Sequence, residues 1–332
     1  MFLNLVIMAA FNSAMKEYRM ITSTIDRLRP THVLSCCVAV FVLLQSGASL
    51  AQAPQSGPWA YSFDIAGLHQ SEAGLKDSEG DFALDRWFAS AGLDYAWNRR
   101  NSLGVSVGYG RSEYEFSEDS TFGGGSPWNR INEGRVSLTG RFGLGQRGTL
   151  FVIPSLRHHG ASGASSSDSR TYGLIAAAAW RMDEKLTIGP GFGMISKLEG
   201  GARVFPLLAI DWDITERWNL STGGGLAASQ GPGLTLSYRL NSAWSFGLAG
   251  RYEKIEFRLN ESGAAPGGIG QDESFPLVLS ARLETGPKLS ATVFTGVELG
   301  GKLRLKDALE VTVDESKYDP AAIFGALLTL SF

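Results

Sequence analysis

Cysteine is almost absent from this chain: Cys36 and Cys37 are the whole supply, and both sit in an N-terminal segment that reads as a removable leader. The remainder offers no disulfide, no thiolate nucleophile and no cysteine metal site. Histidine is nearly as scarce, with His32 in the leader and then only His69, His158 and His159. After residue 53 no apolar run approaches the roughly 20 residues of a membrane helix, so a membrane could be crossed only by strands. A basic tract is missing as well. The 30 Lys and Arg are scattered among 33 Asp and Glu, for a net charge of -3, which argues against nucleic acid as a partner. No residue set calls for a cofactor or a metal.

What is present begins with export. Arg27 and Arg29 precede an apolar stretch from Val33 to Leu44, followed by small residues at Ser49 and Ala51. This is the order of a secretory signal peptide, with cleavage expected after Ala51. The apolar stretch is too short for a membrane anchor. The cysteines open it, whereas a lipoprotein needs one behind it. Residues 1–19 fit no part of the signal, so Met20 is the expected translation start. Residues 52–332 then form one domain.

From Trp59 onward the dominant period is two. Leu93, Tyr95 and Trp97 alternate with Gly92, Asp94 and Ala96, and Leu234, Leu236, Tyr238 and Leu240 with Thr235, Ser237 and Arg239. The pattern predicts about fourteen strands (12–16): 59–68, 84–97, 102–116, 131–144, 149–157, 170–181, 186–197, 203–214, 218–227, 233–240, 244–259, 274–284, 288–299 and 321–332. Short turns such as Asn98–Asn101, Met182–Lys185 and Asn241–Ala243 alternate with mostly longer polar connections. The long ones are His69–Ala83, Ser117–Arg130, His158–Ser169, Asn260–Glu273 and Gly300–Pro320; Leu198–Ala202 and Ala228–Pro232 are shorter. Short periplasmic turns opposite long outer loops are the asymmetry of an outer-membrane barrel.

Five of the eight tryptophans, Trp97, Trp180, Trp212, Trp218 and Trp244, border short turns. At one level they would make a periplasmic aromatic girdle. A lipocalin-like soluble barrel also alternates, with its apolar face inward. Here the other face is Gly, Ser, Thr and Ala with spaced Arg and Asp, which favours apolar-out. The fold expected is all-β: an antiparallel, up-and-down transmembrane β-barrel in the bacterial outer membrane. Its partners would be outer-membrane lipid and lipopolysaccharide; the oligomeric state is not legible.

Ala322, Phe324, Ala326, Leu328, Leu330 and Phe332 form an apolar face ending on the last residue. This strand resembles the signal read by the barrel-assembly machinery, which implies that machinery as a partner and Phe324, Leu328, Leu330 and Phe332 as the contact face. The run from Gly231 to Leu259, with GPGLTLSYRLN, Trp244 and FGLAGRY, resembles proteobacterial outer-membrane β-barrels of an uncharacterised-domain family. That resemblance implies an architecture and no activity.

Catalysis has little support. His158-His159 and Asp168 could suggest a Ser-His-Asp arrangement in an outer loop, but a triad is recognised by geometry rather than composition, and a flexible polar loop explains them better. Acidic clusters at Glu72–Asp85 and Glu113–Asp119 could take calcium, though solvated surface charge accounts for them. Gly123–Gly125 and Gly223–Gly225 precede no helix and so are not phosphate loops.

The inward face remains. The alternation puts Arg86, Arg135, Arg141, Arg157, Arg239, Arg251 and Arg282 there, with Asp94, Glu133, Asp211 and Glu253, and also Phe88, Phe151, Ile153, Ile175 and Val278. These could line an anion-preferring pore, fill the barrel as a salt-bridge network, or mark a path for an apolar solute. Fourteen strands enclose more than an eight-stranded barrel and less than a porin of sixteen. The strand number resembles that of hydrophobic-compound transporters, although only about seven residues precede the first strand, leaving no long N-terminal hatch. A passive channel or transporter for a small solute is the first reading, a non-transporting structural or surface-binding barrel the second, and an outer-membrane hydrolase the third.

Overall fold

A computed structural model describes residues 58–222 and 233–332. The leader, Met20, the end of the predicted ninth strand (223–227), the Ala228–Pro232 connection and Gly223–Gly225 lie outside the described residues.

The strands are β1 (Trp59–Gly74), β2 (Asp81–Asn98), β3 (Asn101–Phe116), β4 (Arg130–Leu144), β5 (Gly148–Ala161), β6 (Arg170–Arg181), β7 (Leu186–Ser196), β8 (Ala202–Asp213), β9 (Trp218–Thr222), β10 (Gly233–Arg239), β11 (Trp244–Arg251), β12 (Glu253–Arg258), β13 (Ile269–Glu284), β14 (Leu289–Lys306), β15 (Thr312–Lys317) and β16 (Ala321–Ser331). Neighbours pair antiparallel in sequence order, and β1 closes the sheet against β16. Phe332, directly after β16, exchanges backbone hydrogen bonds with Tyr61 at 2.9 and 3.0 Å.

Sixteen segments make fourteen wall strands because two are interrupted. β11 and β12 keep one register along β13, and the ladder lapses where Arg251 faces Pro276, which has no N–H to donate. β15 and β16 likewise keep one register along β14, broken at Pro320. Beside that break β14 carries a bulge at Gly300, whose φ of 60° suits glycine, and Gly301. A Cβ on Gly301 would lie 1.9 Å from the Tyr318 ring, so that ring rests on bare backbone.

Over the membrane-level stretch the outward positions are apolar and exposed: Trp59, Tyr61, Phe63 and Ile65 on β1, Leu103 to Tyr109 on β3, Phe275 to Leu279 on β13. A barrel that shows such a belt to its surroundings sits in lipid. Trp97, Trp180, Trp212, Trp218 and Trp244 are all exposed beside short turns. Trp59, 4.7 Å from Tyr95, joins them at the same end, while Trp87 meets Tyr109 edge-on nearer the other.

Several strands run farther outward than the sequence pattern predicts. The connections expected at His69–Ala83 and Gly300–Pro320 are largely strand, and β5 runs on to Ala161 before the β5–β6 loop begins, so His69, His158 and His159 belong to β1 and β5 rather than to loops. The cause is a reversal of alternation. Above the lipid the outer face meets water, so on β2 the apolar positions shift from Trp87, Leu93 and Tyr95 outside to Phe82 and Leu84 inside. On β3 they shift from Leu103–Tyr109 outside to Tyr114 and Phe116 inside.

Candidate functional site in the lumen

The tall strands close over the barrel's outer end. Arg258 of β12 makes a parallel bridge to Gly160 of β5, a strand nearly opposite in the wall. Strands β12 to β15 and β1 to β5 therefore form a narrower ring above the fourteen-stranded wall, leaving β6–β10 outside it.

This ring is filled. Phe82, Phe122, Phe257, Leu303 and Leu305 are fully buried, with Leu84, Tyr114, Trp128 and Tyr318 nearly so. Trp128 meets Phe257 at 5.1 Å and Phe122 at 5.6 Å, both edge-on. Such contacts add about 0.5–1.5 kcal/mol each to the area they bury.

Beneath the aromatics lies a polar floor joined across the lumen. Arg86 of β2 reaches Glu253 of β12 at 3.2 Å, and Arg251 reaches the same carboxylate at 3.4 Å. Tyr114 donates to Asp272 at 2.9 Å. The Tyr318 hydroxyl stands 3.1 Å from Asp272 and 3.5 Å from Glu298, which also accepts from Ser274. Arg135 lies over the Phe88 ring at 4.8 Å, and His159 meets Glu133 at 3.2 Å. Buried charges persist only when partnered, and the Arg86–Glu253 and Tyr114–Asp272 contacts join strands from different sides of the barrel.

Lower down the lumen is wetter. Asp64 accepts from Thr329 at 2.8 Å, and Asn219 donates to Asp211 at 2.8 Å. Arg282 pairs with Glu284 at 3.1 Å while both stay about half exposed. Register puts Asp94, Arg141 and Arg239 on this inner face too. Along β6–β11 the inward positions are mostly small: Ala177, Gly189, Gly191, Ala209, Ser237 and Ala249. Phe151, Ile153, Ile175 and Val278 also fall on the inner register.

One crevice opens at the outer mouth between β12 and the β7–β8 turn. It holds about 220 Å³ and is lined by Lys197, Arg203, Lys254, Glu256 and Lys306 among others. Arg203 bonds Glu256 at 3.0 Å, and Arg258 pairs with Glu199. Sequence reasoning missed Arg203, Lys254, Asp272, Glu298 and Tyr318. Glu298 shares the inward parity of Thr292 and was open to detection, and Arg203 and Lys254 lie within predicted strands; Asp272 and Tyr318 occupy segments that look like loops.

The hydrolase candidates do not meet. His159 points inward to Glu133, His158 lies on the opposite face of β5, and Asp168 bonds Ser167 at 3.1 Å in the β5–β6 loop. Among the described residues no group of three or more His, Cys, Asp or Glu is arranged to hold a metal ion.

No known family and no curated protein matches the chain. Solved structures do resemble it. An outer-membrane channel from Pseudomonas putida F1 shares 12% identity, with a TM-score of 0.47 over 85% of this chain and 100% of that one. The P. putida toluene transporter TodX shares 8%, with a TM-score of 0.44 over 84% and 90%. A FadL homologue from Pseudomonas aeruginosa shares 13%, with a TM-score of 0.39 over 82% and 88%. The closed wall, the lipid-facing belt and the filled outer ring together define a bacterial outer-membrane β-barrel of fourteen strands.

Proposed function

We propose that the barrel is a passive channel for a small solute, with its path beside the filled ring rather than through it. The observation that carries this reading is the lopsided lumen. One half is occupied by the aromatic ring and its polar floor, while the wall of β6–β11 is lined mostly by small residues, with Ile175, Phe205 and Leu207 the larger exceptions. The crevice at Arg203 and Glu256 lies on that same side. A solute would enter between β12 and the β7–β8 turn, descend the small-residue wall and leave past Asp211, Arg239 and Arg282. Arginines along the way give the path a mild preference for anions.

Conductance in planar bilayers tests it. Ser237→Trp, inward on the small-residue wall, lowers the single-channel conductance. Leu248→Trp, outward on the neighbouring strand, leaves it unchanged. Equal effects from both would refute the path.

A non-transporting barrel is the second reading, favoured by the packing of the outer ring. It predicts no conductance in the wild-type protein or in either variant.

A further inference from the structure

The crevice at the outer mouth has two sides that come from distant parts of the chain. On the ring side, register sets Arg258 of β12 opposite Ile269 of β13, and Ile269 opposite Lys306 of β14. Lys254 and Glu256 precede Arg258 at alternate positions of β12 and share its face. On the wall side is the β7–β8 turn, closed by a hydrogen bond from the Lys197 N–H to the Gly201 carbonyl at 3.2 Å. Gly200 and Gly201, at φ of 95° and 76°, take the left-handed backbone that this turn requires.

Arg258 fastens the two sides together. It pairs with Glu199 and donates to the carbonyls of Leu198 at 3.3 Å and Gly267 at 2.8 Å. Glu199 is thereby taken. Arg203 and Lys254 divide Glu256 at 3.0 and 3.5 Å, and Lys254 reaches Glu273 at a loose 3.8 Å. Lys197 and Lys306 are left over. Among the described residues neither ammonium has an ion-pair partner, and 223–232, outside those residues, contains no Asp or Glu to supply one. Glu310 is the one lining carboxylate still unpaired, so positive charge is in excess around an open space of about 220 Å³. Leu198, Ile269 and the methylene stems of the lysines give that space an apolar part.

We infer that the crevice binds a small carboxylate with an apolar body, its charge met by Lys197 from the wall and Lys306 from the ring. An inorganic anion would leave the apolar part unused. An uncharged solute would leave both ammoniums without a counter-charge. The site does not depend on conduction; that the bound molecule is also the solute passed rests on the channel reading above.

The test is calorimetric titration of the purified barrel at constant ionic strength with sodium benzoate, its uncharged counterpart benzyl alcohol, and inorganic phosphate. Benzoate binds saturably, one to one, and the other two at least about tenfold more weakly, the weight of a charge-assisted hydrogen bond. Lys197→Gln and Lys306→Gln each raise the Kd of benzoate roughly 3–10-fold, less than at a buried site because both ammoniums meet water. The double variant compounds the loss. Neither lysine has an ion pair to lose, so both variants assemble, which heat-modifiable gel migration checks. Lys317→Gln, exposed on the outer surface of the ring and outside the crevice, leaves the affinity unchanged. Absence of saturable benzoate binding, equal binding of benzyl alcohol or phosphate, or wild-type affinity in the folded double variant overturns the site. Planar-bilayer conductance of the same protein separates this from the channel reading. Benzoate binding by a silent barrel keeps the site and refutes the channel, whereas conductance without benzoate binding refutes the site alone.

Discussion

The outer ring and the membrane-level wall are built from the same strands under opposite rules. In the wall, Leu103, Val105, Val107 and Tyr109 face out while Ser102, Gly104, Ser106 and Gly108 face in. A few residues later on the same strand, Tyr114 and Phe116 turn inward and Glu113 and Glu115 turn out. The strand does not change; its surroundings do. Lipid takes the apolar side chains outside, whereas water above the membrane returns them to the centre. One region is consequently a packed core of ordinary soluble-protein kind, and the other is a wet lumen with its hydrophobic face turned outward.

That difference makes unequal predictions for mutations. Trp128→Ala opens a cavity in the ring and costs about 3–5 kcal/mol, read as a lower midpoint in denaturant titration of the detergent-solubilised barrel. An effect under about 1 kcal/mol would mean that the ring is not tightly packed. Arg86→Ala leaves Glu253 buried with Arg251 alone. Breaking a buried pair from one side costs roughly 3–5 kcal/mol, and the water that reaches Arg86 puts this case at the lower end. Arg282→Ala, by contrast, removes a half-exposed pair in the lower lumen and changes stability by about 0.5 kcal/mol or less. Similar costs at Arg86 and Arg282 would erase the distinction between the two regions.

The smallest effect lies on the outer surface of the ring. A hydrogen bond from Arg304, with the charges of Arg304 and Lys302, holds the Glu315 carboxyl below its ordinary value. A depressed folded pKa gives stability that is present above the unfolded value of about 4.3 and lost as pH falls through the folded one. Glu315→Gln should therefore narrow the difference in stability between pH 7 and pH 3 by about 0.5 kcal/mol or less, since the pair is partly exposed.

The wall was legible in the sequence because membrane alternation is written into each strand locally. Leu234, Leu236 and Tyr238 need no knowledge of distant residues to be assigned to one face. The ring was not legible for two reasons. Its apolar residues, such as Phe82, Leu303 and Leu305, stand among Asp, Glu, Ser, Gly and Lys that look like loop. Its decisive contacts join residues far apart in the chain: Arg86 with Glu253, Tyr114 with Asp272, Arg258 with Gly160. Pro320 misled in the same direction, standing at an expected strand boundary where it is a local lapse in a longer strand. The inward arginines could be named one at a time from parity. Their cross-lumen partners required the register.

Whether the solute passes beside a stationary ring is decided by single-channel recording with the ring tethered. Gly160→Cys with Arg258→Cys places two thiols on the bridge between β5 and β12, in a chain whose own cysteines, Cys36 and Cys37, both precede the described residues. The account predicts small conductance steps that are the same before and after oxidation of that pair. Steps abolished by oxidation and restored by reduction would contradict it, because the ring would then be the gate. Silence in both states would also contradict it, because the barrel would then be closed.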